Sequence, residues 1–200
     1  NTFDYSRMHG KILAQMGISY VSSSINAVES LAPYTLVDII MGKEKGEKSD
    51  TIGCIPMHLR DAIETYTEQG GKILLAGSYI ASDMRHACDT AFTHNVLHYR
   101  YKTEKASTCG RINFQYNILP TKQYEYYTKP NPHIIECEWP DSIEPMTGGV
   151  RIARYDDTYV NAGVAYNDEK NRIIILPFML ESVKDFKTLY SDCINWLIMQ

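Results

Sequence analysis

Apolar positions recur along this chain in two rhythms. In RMHGKILAQMG, residues 7–17, Met8, Ile12, Leu13 and Met16 fall three and four apart before Gly17, the spacing of an amphipathic helix with a glycine stop. ISYVS at 18–22 reads as a strand. After the break at Pro33, YTLVDIIMG at 34–42 reads as a second strand, nearly continuous in apolar character as buried parallel strands are. The charged stretch GKEKGEKSD reads as a solvated loop. PMHLRDAIETYTEQG at 56–70 returns to helical spacing through Leu59, Ile63 and Tyr66, and KILLAG follows as the third strand. Ser82 and Asp83 are placed to cap a further helix that the pattern carries to about residue 98. Strand and helix in alternation predict an α/β fold with right-handed crossovers.

From residue 99 the texture changes. YRYKTEKAS, GRINFQYN, KQYEYYT, HIIECEW, GGVRIARYDD and YVNAGVAYN are short, rich in tyrosine and β-branched residues, and punctuated by Gly, Pro, Asn and Asp. The segment 99–150 is expected to be a β-rich insertion or flap within a single domain spanning 1–200. NRIIILPFM then resumes the earlier rhythm, and residues 181–200 close as a helix with Val183, Phe186, Leu189, Tyr190, Cys193, Ile194 and Leu197 on one broad face. A chain that opens on a helix followed by a strand suggests that an earlier strand lies upstream, so a fragment of a larger protein is expected.

Size and charge narrow the partners. Two hundred residues suffice for one sizeable core. A formal net charge of −4 offers no basic stripe for phosphates, which argues against nucleic acid. The longest apolar run, IIILPFML, is far shorter than the roughly 20 residues that cross a bilayer, which argues against membrane insertion. The five cysteines, Cys54, Cys88, Cys109, Cys137 and Cys193, form no CxxC pair and read as buried or free thiols, with one or two disulfides left open.

The junction LLAGSYIASDM, in which an apolar strand turns sharply into a helix, has the form of a nucleophile elbow. It resembles the elbow of the class I glutamine amidotransferase-like superfamily, written Gly, any residue, Cys, any residue, Gly. Here Gly77, Ser78, Tyr79, Ile80 and Ala81 occupy those places, with Tyr79 where the cysteine belongs. LPFMLES resembles the family's closing Phe-His-Pro-Glu, with Met179 at the histidine position and Glu181 retained, and VDIIMG with Gly42 resembles the strand and glycine loop that lend an oxyanion-hole N–H. Over most of the chain NAVES, VDIIMGKEKG, GKILLAGSYIASDM and AGVAY are similar to Bacteroidetes proteins labelled xanthan lyases. These resemblances imply a three-layer flavodoxin-like fold, a carbohydrate-related role, a periplasmic or cell-surface location, and partners among glycans, other domains of the same protein and further copies of the chain.

The chemistry follows from the two replacements. A phenol with a reference pKa of about 10 is a poor nucleophile without help, and a thioether accepts no proton. A non-catalytic domain with a scaffold, oligomerisation or glycan- or protein-binding role is therefore the first expectation, with no cofactor. The alternative is a polysaccharide hydrolase or lyase that uses Tyr79 with an acidic or histidine partner. The low-ranked catalytic candidates are Tyr79, Glu181, Asp83 and Ser78, and the ligand-binding candidates are Gly42, Gly77, Tyr79, Ser82, Asp83 and Met179. Glu181 and Asp83 are equally well explained as acids at helix starts. His94 and His98, four apart, invite a metal but lack a third ligand in the sequence, and no metal site is expected. Tyr124, Tyr126, Tyr127, Tyr99, Tyr101, Tyr116 and Trp139 divide evenly between sugar- or protein-binding surface and strand packing. Cys54, behind Gly53, is the thiol with most opportunity for reactivity, although no basic partner is visible to ionise it.

Overall fold

The computed structural model describes residues 2–46, 53–87, 90–129 and 134–199. Strands β1 (Val37–Gly42) and β2 (Lys72–Gly77) flank helix α2 (Met57–Glu68), and the short α3 (Ser82–His86) follows β2. Six strands come next: β3 (Tyr99–Thr103), β4 (Arg111–Phe114), β5 (Lys122–Glu125), β6 (Ser142–Pro145), β7 (Val150–Tyr155) and β8 (Asn161–Asn167). Strand β9 (Arg172–Leu176) leads into the closing helix α4 (Phe186–Ile198), and α1 (Thr2–Gln15) opens the chain.

Seven strands form one sheet in the order β1-β2-β9-β8-β7-β4-β5. Only β1, β2 and β9 run parallel, and every pairing from β9 outward is antiparallel. The flavodoxin-like expectation is therefore corrected. The parallel rhythm read at 34–42 and 72–77 ends at β9, because from residue 111 the strands join through hairpins and a long return connection, not through helical crossovers. The antiparallel half also curls back. Tyr126, just after β5, bridges Val183, just after β9, although three strands lie between β9 and β5 in the sheet. The Tyr127 N–H donates to the Ser182 carbonyl (3.1 Å) and the Lys184 N–H to the Glu125 carbonyl (2.8 Å), so the curled edge is hydrogen-bonded shut along this stretch.

The expected insertion divides between two places. Strands β4 and β5 continue the main sheet, whereas β3 and β6 pair with each other as a separate two-stranded sheet. Two further expectations give way locally. ISYVS is not a strand, and its Tyr20 ring lies over the Cβ-less Gly10 of α1. The helix expected to reach residue 98 ends at His86, and a π-helical turn covers Phe92–Val96.

Alternation along β2 and β9 feeds two cores. Leu74, Ala76, Ile174 and Leu176 pack with α1 and α4 on one face, while Ile73, Leu75, Ile173 and Ile175 pack with α2 on the other. The α4 face read from the sequence is buried as expected, from Phe186 through Leu197.

At the carboxyl ends of β1 and β2 the register slips between Ile40 and Gly42, and Gly42 takes φ +54°, a left-handed value that favours glycine. The displaced Met41 packs against Gly77, where an added Cβ would sit 2.6 Å from the Met41 Cβ. Gly77→Ala is accordingly expected to cost about 1–3 kcal/mol by overpacking, read as a lower urea midpoint at unchanged m-value. An unchanged midpoint would show that Met41 is free to shift.

Candidate functional site at the carboxyl edge of the sheet

Ser78, Tyr79 and Ile80 form the turn that leaves β2, and the turn is fixed from below. The Ser78 N–H donates to the Gly42 carbonyl (2.9 Å), and its hydroxyl lies 3.2 Å from the Cys137 sulfur. Tyr99 donates its phenol hydrogen to the Ile80 carbonyl (2.8 Å). The strongest anchor is Asp141, whose Oδ2 accepts the N–H groups of Ala81 (3.0 Å) and Ser82 (2.7 Å). Asp141 is itself held by its own N–H on the Pro177 carbonyl (2.8 Å) and by the Tyr155 phenol on its carbonyl (2.8 Å). Burial raises this carboxyl to about 7 against the pull of the two amides, and its Oδ1 has no hydrogen-bond partner among the described residues.

Tyr79 is half-buried at the tip with Lys45 Nζ 3.8 Å above its ring centre. Burial, then Cys137 and the carboxyl groups of Asp141, Glu138 and Glu104, push its phenol up from the ordinary value, so the phenolate is disfavoured. Ser78 is buried under the turn. Gly42 and Gly77 are the close backbone approach described above, and Gly42 additionally abuts the Tyr5 ring. Ser82 spends its N–H on Asp141, while the Asp83 carboxylate accepts the Gly46 N–H (2.9 Å). Met179 is fully buried in the core below the edge. Tyr79, Ser82, Asp83 and the two glycines thus gather at one edge.

Glu181 does not join them. It points into a buried cluster against α1, where His9 Nε2 lies 3.2 Å from its Oε1, at an angle short of a hydrogen bond. His9 Nδ1 is 2.6 Å from Asp38 Oδ2, to which the Tyr190 phenol also donates (2.7 Å). Burial opposes a charged imidazole here, but the charge and hydrogen bond of Asp38, joined by the nearby carboxylate of Glu181, override it and raise His9 to about 9. Neither His9 nor Asp141 stands out in the sequence. Each meets partners distant along the chain, and a single His in an apolar helix or a Pro-Asp turn carries no local signal.

The other candidates disperse. His98 stacks on Tyr166 at 3.4 Å between ring centres and donates from Nδ1 to the Thr147 carbonyl, whereas His94 sits in the π-helical turn. Among the described residues no three His, Cys, Asp or Glu side chains gather as a metal site. Cys54 is buried and its thiol is lifted well above the ordinary value, first by burial and then by Asp83. Cys88 lies outside the described residues. Four cysteines, Cys54, Cys109, Cys137 and Cys193, are free thiols. Tyr99, Tyr124 and Tyr126 are core residues, while Tyr116, Tyr127 and Trp139 are exposed.

Trp139 completes the edge. Lys105 Nζ lies 3.6 Å over its ring, and Glu138 and Glu104, the chain neighbours of Trp139 and Lys105, are near enough to act on the Tyr79 phenol. Two accessible aromatic rings, each under a lysine, therefore stand in one neighbourhood at the sheet's carboxyl edge, where ligands of open α/β sheets bind.

No family model matches the chain, and no curated protein does. Solved structures do. The chain resembles part of the cold-adapted β-galactosidase from Rahnella sp. R3, with a TM-score of 0.61 and 15% identity over 94% of this chain and 26% of that one. It also resembles a β-galactosidase from Bacillus circulans sp. alkalophilus (0.60, 13%, 98% and 27%). A third likeness is to an exo-β-1,4-mannosidase from Opitutaceae bacterium strain TAV5 (0.55, 11%, 94% and 29%). The chain thus spans about a quarter of the length of these structures. The glutamine amidotransferase-like and xanthan lyase resemblances are corrected accordingly, since the structural neighbours are glycoside hydrolases and the sheet is mixed and curled. The fold of this chain is one that carbohydrate-active enzymes contain.

Proposed function

We propose that the chain is a carbohydrate-handling domain of a larger glycoside-processing protein, and that its own part is to hold sugar at the Tyr79–Trp139 edge. The observation that carries this reading is the pair of accessible aromatic rings in one neighbourhood, where the carboxyl groups that hold the turn are already committed. Glycoside cleavage uses two carboxyl groups facing the scissile bond across an open gap of roughly 5–9.5 Å. At this edge Asp141 is buried under two amides and Asp83 holds the Gly46 N–H, while Glu181 lies away from it against His9. Aromatic faces with polar neighbours remain, and these suit the apolar faces and hydroxyls of pyranose rings. The lysines do not obstruct stacking, because an exposed cation–π contact is worth only about 0.5–1 kcal/mol and yields to a ligand.

Calorimetric titration with β-linked galacto- and manno-oligosaccharides is expected to give weak, saturable binding that Trp139→Ala and Tyr79→Ala each reduce at least tenfold while thermal unfolding stays cooperative. Absence of binding to any such oligosaccharide would overturn the reading.

A second reading, hydrolysis or lysis through Tyr79 with an acidic partner, draws on one observation. Asp141, lifted to about 7 by burial, has the proton affinity of a general acid and lies beneath the Tyr79 turn. Release of nitrophenol from aryl β-galactosides or β-mannosides by the chain alone, abolished by Tyr79→Phe or Asp141→Asn, would favour this second reading over binding.

A further inference from the structure

A recess lies beside α3, lined by neither Tyr79 nor Trp139. It encloses about 230 Å³ between α3, the π-helical turn and β3, and its polar lining consists of Arg85, Thr90, Thr93, His94, Arg100 and Tyr101. Among the described residues that line it are two guanidinium-bearing residues and one imidazole-bearing residue, and none that bears a carboxylate. Among the described residues neither Arg85 nor Arg100 is paired with a carboxylate. Glu144, opposite Arg100 in the β3–β6 register, is engaged with Arg151 (3.3 Å).

The Arg85 guanidinium carbon lies 4.9 Å from the Tyr101 ring centre. A guanidinium carries five N–H donors in a planar fork, the geometry that grips a carboxylate through two bonds. The Tyr101 oxygen already accepts the Glu104 N–H (2.9 Å), so the phenol hydrogen is available to donate. Thr90 and Thr93 add hydroxyl groups along the wall, and Met84 contributes an apolar floor. The volume falls below the range of roughly 300–1,000 Å³ typical of drug-sized ligands, which favours a single ring over a chain of several.

We propose that this recess binds one acidic monosaccharide unit, its carboxylate on Arg85 and its ring hydroxyls on the threonine and tyrosine oxygens. The assignment of a sugar, as distinct from a bare anion, rests on the carbohydrate-handling reading above. It is separable from that reading because neither Tyr79 nor Trp139 lines the recess.

The test is an NMR titration of the whole chain with glucuronate, galacturonate, glucose and sodium sulfate, with Arg85 Nε–H and the backbone amides of 99–101 as reporters. The two sugar acids are expected to shift these signals saturably, and glucose to leave them in place. Arg85→Gln should weaken sugar-acid binding at least tenfold and Arg85→Lys by less, while Trp139→Ala leaves it unchanged. Spectra that retain their dispersion establish that the variants are folded, and Arg100→Gln provides an independent variant at the rim. Binding of sulfate as tight as that of the sugar acids, or shifts by glucose equal to theirs, would overturn the proposal, as would silence at Arg85. Loss of oligosaccharide binding at the Tyr79 edge with sugar-acid binding intact would overturn the earlier reading and leave this one standing.

Discussion

Replacing His9 with leucine is expected to destabilise the protein by roughly 3–5 kcal/mol near pH 6, the usual cost of removing one partner from a buried ion cluster. The imidazole joins four elements. It is carried by α1, contacts Asp38 of β1 and Glu181 ahead of α4, and packs against the Phe186 and Tyr190 rings of α4 at 5.0 and 4.4 Å. Without it the Asp38 and Glu181 carboxylates lose the cation they share, and Asp38 keeps the Tyr190 phenol. The pH dependence distinguishes this from lost packing. His9 is raised from 6.5 in the unfolded chain to about 9 in the folded protein. Its contribution is therefore complete below about pH 6.5 and disappears as pH rises through 9, a decline of about 3 kcal/mol at 1.36 kcal/mol per unit. Urea unfolding at pH 6, 8 and 9.5 should show this decline in the natural chain and its absence in His9→Leu. Parallel pH curves for the two proteins would show that His9 is neutral in the fold.

Asp141→Asn carries the second large effect, and its sign is opposite to that expected of a buried acid in a salt bridge. The carboxyl rises from an unfolded value near 3.9 to about 7. Its stability contribution is full below the unfolded value and is lost as pH climbs through 7, because the folded protein resists ionising a group it has desolvated. That loss amounts to roughly 4 kcal/mol between pH 4 and 8 at the same 1.36 kcal/mol per unit. Asparagine keeps an oxygen for the Ala81 and Ser82 N–H groups and never ionises, so the variant should match the natural chain at pH 4 and exceed it at pH 8. Alanine leaves both N–H groups without that acceptor and should be less stable at pH 4 by about 1–3 kcal/mol for each donor left unsatisfied. An asparagine variant that tracks the natural protein across the whole range would show that Asp141 ionises without penalty.

The parts of this molecule legible in the sequence are those whose signal is local. The apolar runs of β1 and β2, the helical spacing of α2 and the broad apolar face of α4 are each written within a dozen or so residues, and each forms where its pattern places it. The tyrosine-rich half was legible as strands, but not as to which edge each strand joins. Pairing of β7 with β4, or of β8 with β9, depends on partners whose relative direction no single strand encodes. ISYVS illustrates the limit from the other side, having strand-like composition while Tyr20 caps Gly10 and Val21 faces solvent. The turn at Tyr79 was visible because strand, glycine and helix start follow one another directly. What surrounds it was not, since Asp141 and Cys137 arrive about 60 residues later and belong to no motif. Glu181 was read as a companion of Tyr79 from the likeness of LPFMLES to Phe-His-Pro-Glu, yet the 3₁₀ turn of Leu180–Ser182 turns its carboxylate to His9.

The bridge between Tyr126 and Val183 gives the last twenty residues a task beyond forming a helix. A sheet normally has two open flanks, and an open flank recruits stray strands from other molecules. Here residues 182–184 lie along β5, with Lys184 and Asp185 reaching Glu125 and Lys122 by ion pairs. A chain shortened before residue 182 would lose that guard together with the buried face of α4, leaving β5 bare and prone to self-association.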